Sequence, residues 1–230
     1  MPINEVFENP TVKQVIFQIR FPNLFYIESK IGDLQVEIMD LFPESSLSFQ
    51  QPIVIANLGS KVNIEEINEK LSSEKTKKVW SFSSPKNYAL HVLNDSLDIT
   101  SQYHKTYNNE AFDNRFRDVI ELVLDKFLKI MKLPIVTRVG LRYIDECPLP
   151  VKDTKTYLEY YNTAFNVEKY SLEEAIEMDF KTVVHRGPYS IRYVESLQTK
   201  GEKHFVVLDF DSFAQNVKPS DCLQVTDELH

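Results

Sequence analysis

The stretch Val12–Lys13–Gln14–Val15–Ile16–Phe17–Gln18–Ile19–Arg20–Phe21 decides how the chain is read. Val15, Phe17, Ile19 and Phe21 fall on one side; Gln14, Ile16, Gln18 and Arg20 fall on the other. A period of two over ten residues predicts a strand buried on one face and wet on the other. Pro22 ends it. The same pattern returns at Val136–Cys147, where Val139, Leu141 and Tyr143 oppose Arg138, Gly140, Arg142 and Ile144. Two long half-buried strands predict an antiparallel sheet with helices packed against it.

Outward from these strands, Glu28–Phe42 carries Ile31, Leu34 and Ile38 at helical spacing and stops at Pro43. Leu47–Leu58 reads as a strand. Lys61–Lys78, with Ile64, Ile67 and Leu71 on one side, reads as a short surface helix and a connection. Three short strands follow near Val79–Ser84, Tyr88–Leu93 and Leu97–Gln102, with turns at Pro85–Asn87 and Asn94–Asp95. The longest helix is expected over Asn109–Lys132, where Phe112, Phe116, Val119, Ile120, Val123 and Phe127 form an apolar stripe. After the second long strand come a helix over Thr154–Phe165, with Tyr157, Leu158, Tyr161 and Phe165 inward, and strands over Ala175–Arg186, Tyr189–Leu197 and His204–Phe213. A final helix begins at Pro219, with Asp221 as its candidate cap.

The fold class is therefore α+β, a twisted antiparallel sheet with packed helices. The order strand, helix, several strands, helix occurs twice. This suggests an internal duplication giving two similar lobes, residues 1–134 and 135–230, as two domains or as one compact domain. The first unit, Val12–Leu133, has 122 residues and the second, Val136–His230, has 95. On this reading the last helix is short by about two or three turns and leaves apolar surface uncovered.

Composition narrows the function. The 230 residues include 26 Lys and Arg against 34 Asp and Glu, a net charge of −8. That balance argues against general nucleic-acid binding, which needs a basic footprint. The five glycines, Gly32, Gly59, Gly140, Gly187 and Gly201, lie too far apart for a dinucleotide fingerprint, a phosphate loop or a nucleophile elbow. Cys147 and Cys222 are read as free thiols. No apolar run approaches the roughly 18 residues of a membrane span, and the start of the chain has no signal-peptide pattern. The expected location is cytoplasmic.

Several segments resemble an uncharacterised prokaryotic family, sporadically distributed across bacteria and archaea. They are Asn9–Pro10 with Val15–Pro22, Trp80–Phe82, Tyr107–Phe112, Thr137–Ile144 and Leu208–Asp211. Similar proteins continue the final helix beyond Asp227–His230. The resemblance implies no reaction, cofactor or catalytic residue. The family's patchy distribution is like that of host-defence and toxin–antitoxin loci.

Chemistry-bearing residues are few. No two of His91, His104, His185, His204 and His230 lie at metal-binding spacing on a helix. Asp209 and Asp211 share one strand face, as Glu177 and Asp179 do on another. The first pair is a candidate for a divalent cation or for acid–base work, against a salt-bridged strand face. Arg20, Arg138, Arg142 and Arg192 all sit opposite apolar stripes. Arg142 or Arg20 is expected to pair with Asp209, Asp211 or Glu177, or several arginines line a sheet face that receives an anion or a partner's carboxylate. Tyr157, Tyr160, Tyr161 and Tyr170 mark a candidate interface. No cofactor is implied. The reading favoured is a non-catalytic interaction or ligand-binding module with a protein partner, in a defence context, and able to oligomerise. The alternatives are a metal-dependent phosphoester hydrolase or nuclease using Asp209 and Asp211, and a small-nucleotide sensor using Arg142 and Arg138.

Overall fold

The structure, a computed structural model, describes residues 9–50, 77–109, 114–161, 167–169 and 171–230. In chain order the elements are β1 (Val12–Arg20), α1 (Ile27–Ile38), β2 (Glu44–Gln50), β3 (Lys77–Ser84), β4 (Tyr88–Val92), β5 (Ser96–Ser101), α2 (Phe116–Ile130), β6 (Val136–Leu149), α3 (Thr154–Tyr160), β7 (Met178–Arg186), β8 (Tyr189–Lys200), β9 (Lys203–Val217) and α4 (Cys222–Leu229). The nine strands form a single antiparallel sheet in the order β2-β3-β4-β5-β1-β6-β9-β8-β7. The two strands with the clearest alternation lie side by side at its centre, Phe17 opposite Leu141. In each half of the chain the last strand returns to pair with the first, β5 with β1 and β9 with β6.

One face of the sheet carries the helices. Val15, Phe17 and Ile19 are fully buried there, beside Leu97 and Ile99 of β5 and Val139 and Leu141 of β6. Ile27, Leu34 and Ile38 of α1 close over them, with Phe116, Val119, Ile120, Val123 and Phe127 of α2. Each large apolar side chain so buried contributes about 1.5–3 kcal/mol, which fixes the register, since a one-residue slip would turn the whole set to water. A smaller core lies under α3, built from Cys147, Leu149, Tyr157, Leu197 and Val206.

Several helix bounds differ from the sequence reading. Helix α2 begins at Phe116, not Asn109, because Arg115 is extended and caps the helix. The Arg115 N–H and guanidinium both bind Asp118. Helix α3 ends at Tyr160, where Tyr161 turns extended, and Leu158 is exposed rather than inward. Asp221 makes no cap hydrogen bond; Pro219–Asp221 is a 3-10 turn leading into α4. Strand β2 starts at Glu44. The expectations for residues 51–76, Phe112, Phe165 and Tyr170 lie outside the described residues.

Candidate functional site

The opposite face of the sheet carries none of the packed helical core and is mainly polar, with Ala89, Ile16 and Phe213 set among its polar side chains. The register sets its side chains in rows across the strands. One row runs Ser81, His91, Asp98, Gln18, Gly140, Phe213 and Ser190. The next runs Ser83, Ala89, Thr100, Ile16, Arg142, Asp211 and Arg192. On the other side Arg20 stands directly opposite Arg138. All four arginines singled out in the sequence therefore meet at the middle of one face. They line a depression of about 380 Å³ with Ile16, Gln18, Gly140, Asp211 and Phe213.

Asp209 and Asp211 organise the guanidinium groups. Arg142 donates to both oxygens of Asp209, Nε to Oδ1 at 2.6 Å and Nη2 to Oδ2 at 2.7 Å. This two-pronged geometry holds the fork in one plane. Arg192 Nη2 reaches the same carboxylate at 3.2 Å, and its Nε lies 3.7 Å from Asp211. That Nε is buried and has no hydrogen-bond partner. Arg138 donates from Nη2 to Asp211 at 2.5 Å and from Nη1 to Gln18 at 3.4 Å. Arg20 donates to Gln18 at 2.9 Å; unlike the other three, it meets no carboxylate among the described residues. The expected pairing is thus present for Arg142, with Asp209, and absent for Arg20; Arg138 and Arg192, for which no pairing was expected, meet Asp211 and Asp209 as well. Glu177 lies outside the depression, just before β7.

Gly140 makes the depression. Its missing side chain leaves room for the Arg138 guanidinium, which lies so close that a Cβ at 140 would stand 2.3 Å from Nη1. The guanidinium carbon also sits 4.7 Å from the centre of the Phe213 ring, a cation–π contact. Neither Gly140 nor Phe213 stood out in the sequence. Their role depends on β6 lying between β1 and β9, which no local pattern announces.

The electrostatics of the face are uneven. Four guanidinium groups face the two ion-paired carboxylates Asp209 and Asp211, with Asp98 a third acidic group near Arg20, leaving at least one positive charge over in a protein of net charge −8. Burial works against the charge on Arg138, and Asp211 offsets this; Arg20 and Arg192 add repulsion. For Arg142 the bonds to Asp209 raise its proton affinity. Gln18 also hydrogen-bonds Asp98, whose carboxyl is held above the ordinary carboxylate range by burial, with His91, Gln18 and Arg20 pulling the other way. Ser81 Oγ and His91 Nδ1 are 2.9 Å apart. Ser81, His91 and Asp98 thus share a row, but Asp98 makes no ion pair with His91.

The remaining candidates fall elsewhere. Asp209 and Asp211 share a face as the alternation requires, but both are occupied by arginines. Among the described residues no group of three His, Cys, Asp or Glu is placed to hold a metal ion. Tyr157 is fully buried and donates to the buried Glu195, which also accepts from Tyr193 at 2.9 Å. Tyr161 bonds the Pro148 carbonyl, while Tyr160 is exposed. Two of the clustered tyrosines are therefore committed to internal hydrogen bonds. Cys147 and Cys222 are free and buried; burial pushes the Cys222 thiol up to about 12. Among the described residues no helix is long and apolar enough to cross a membrane. No family model, curated protein or solved structure matches the chain.

Proposed function

We propose that the chain is a non-catalytic binding module whose open sheet face receives an anion. One observation carries this reading: four arginines converge on one depression with charge to spare, in a protein that is otherwise acidic. An arginine half-withdrawn from water needs a partner for each face of its fork. Asp209 and Asp211 supply part of that need and orient the groups, and an incoming phosphate or carboxylate supplies the rest. The same excess of positive charge disfavours a divalent cation at Asp209 and Asp211. A strand-borne site has little freedom to rearrange, which suits recognition by a prearranged set of donors. A defence-system partner bearing such an anion remains the biological setting suggested by the family resemblance.

The test is calorimetric titration with inorganic phosphate at low ionic strength, on the natural sequence and on R138Q/R192Q. Saturable binding that the double variant loses supports the reading. If phosphate, sulfate, diphosphate and acetate all give no heat and no rise in Tm, the reading is wrong.

A further inference from the structure

The distribution of donors over the depression says more than that an anion binds. It has two ends. At one end Arg20, held by Gln18, keeps its terminal nitrogens clear of any carboxylate among the described residues. At the other end Arg142 is drawn to Asp209, which stands opposite Ile144 and so lies beyond Arg142 as seen from Arg20. Arg192 lies beside it, bonded to the same Asp209, with its Nε buried and without a hydrogen bond. Arg138 and Arg142 are four residues apart on β6, about 13 Å at about 3.3 Å per residue. Allowing for Arg20 leaning inward toward Gln18 and Arg142 leaning outward toward Asp209, the two ends remain about 10 Å apart. A single tetrahedral anion, hydrogen-bonded on both sides, bridges donors no more than about 8 Å apart.

Between the ends lies Gly140, and the Arg138 guanidinium lies flat over it in the space that a side chain there would take. Arg20 and Arg138 also face each other directly across β1 and β6. Like charges so placed destabilise a sheet, and a negative group laid between them removes that repulsion.

We propose that the ligand is a chain of linked phosphates, a diphosphate or longer, lying along β6 over the Arg138 guanidinium from Arg20 to Arg142 and Arg192. This rests on the anion-binding reading above. Phosphates suit the site better than carboxylates because each presents oxygens in three directions. The donors here approach from β1, β6 and β8, not from one plane.

The experiment compares inorganic phosphate, diphosphate and tripolyphosphate by calorimetry at matched ionic strength, on the natural sequence and on R20A. Arg20 is exposed, so its removal leaves the core intact. Diphosphate and tripolyphosphate are expected to bind about tenfold or more tightly than phosphate. R20A is expected to abolish that advantage, so that diphosphate and tripolyphosphate bind the variant no more tightly than phosphate does. Equal affinity for phosphate and diphosphate, or an advantage that R20A leaves untouched, overturns this proposal and leaves the anion-binding reading standing. No binding of any of the three overturns both. Adenosine diphosphate is titrated in parallel: tighter binding than inorganic diphosphate places the phosphates on a nucleoside, and equal or weaker binding identifies the phosphate chain itself as the ligand. Either result supports the proposal.

Discussion

Gly140→Ala tests whether the missing side chain at the sheet centre exists to seat Arg138. The new Cβ would stand 2.3 Å from Arg138 Nη1 and 2.9 Å from its guanidinium carbon. An ordinary contact needs about 3.4 Å or more, so the guanidinium must move by about 1 Å. The moving part is the end of a flexible side chain, so the backbone stays. What is lost is the Arg138–Asp211 bond at 2.5 Å and the contact with Phe213. The two partners are only 16% and 13% exposed, so water replaces the bond poorly. A hydrogen bond to a charged group contributes about 1.5–3 kcal/mol. Replacing Gly by Ala within a strand returns about 0.5–1 kcal/mol. The net loss is about 1–2 kcal/mol, or a Tm lower by about 2–8 °C for a chain of this size. The decisive comparison repeats the change in an Arg138→Ala background. With no guanidinium to displace, Gly140→Ala should there stabilise by about 0.5–1 kcal/mol, reversing its sign. Denaturant unfolding of the four proteins measures the difference. Equal destabilisation in both backgrounds would refute the reasoning, because the cost would then lie in the strand and not in Arg138.

Two further outcomes follow from the packing. Phe17 is fully buried at the middle of the central strand, so Phe17→Ala should lower stability by about 3–5 kcal/mol, read as a lower denaturant midpoint with an unchanged slope. A loss under 1 kcal/mol would mean that the centre of the sheet is not packed as described. His104 is buried between Ser101 and the Asn114 carbonyl. Because a carbonyl can only accept, Nε2 carries the proton and Nδ1 accepts from the Ser101 hydroxyl. Burial holds this histidine below its ordinary value of 6.5. The folded state therefore binds its proton less readily than the unfolded chain, so stability should fall as pH drops below about 6.5. His230, also lowered by burial, contributes with the same sign. Tm measured from pH 7.5 to pH 5 should decline more steeply for the natural sequence than for His104→Gln; equal slopes would remove His104 as a source of the decline.

Much of the fold was legible because the chain's apolar residues keep strict time. The alternation in Val12–Arg20 and Val136–Cys147 gave both central strands, since burial on one face demands period two. The stripe from Phe116 to Phe127 gave α2 for the same reason at period 3.6. Ends were read less well. Helix α2 starts after Asn109 because the Arg115–Asp118 bonds cap it, and α3 stops at Tyr160 though apolar residues continue. The first depends on hydrogen bonds, and the second on a backbone turn at Tyr161, that hydrophobic spacing does not record.

The site divides along the same line. Alternation alone put Arg20, Arg138, Arg142 and Arg192 on the wet side of their strands, and put Asp209 and Asp211 on a common face. Which arginine meets which carboxylate is decided by strand order and register. Arg142 meets Asp209 because β9 lies beside β6. Arg20 is left without a carboxylate because its neighbours across the sheet are Ser96 and Arg138. Gly140 becomes a floor only when Gln18 and Phe213 flank it from strands more than a hundred and about seventy residues away in sequence. A side chain's face is a local property, fixed by the period of its own strand. The company it keeps on that face is set by pairings between distant segments, and only the folded sheet supplies those.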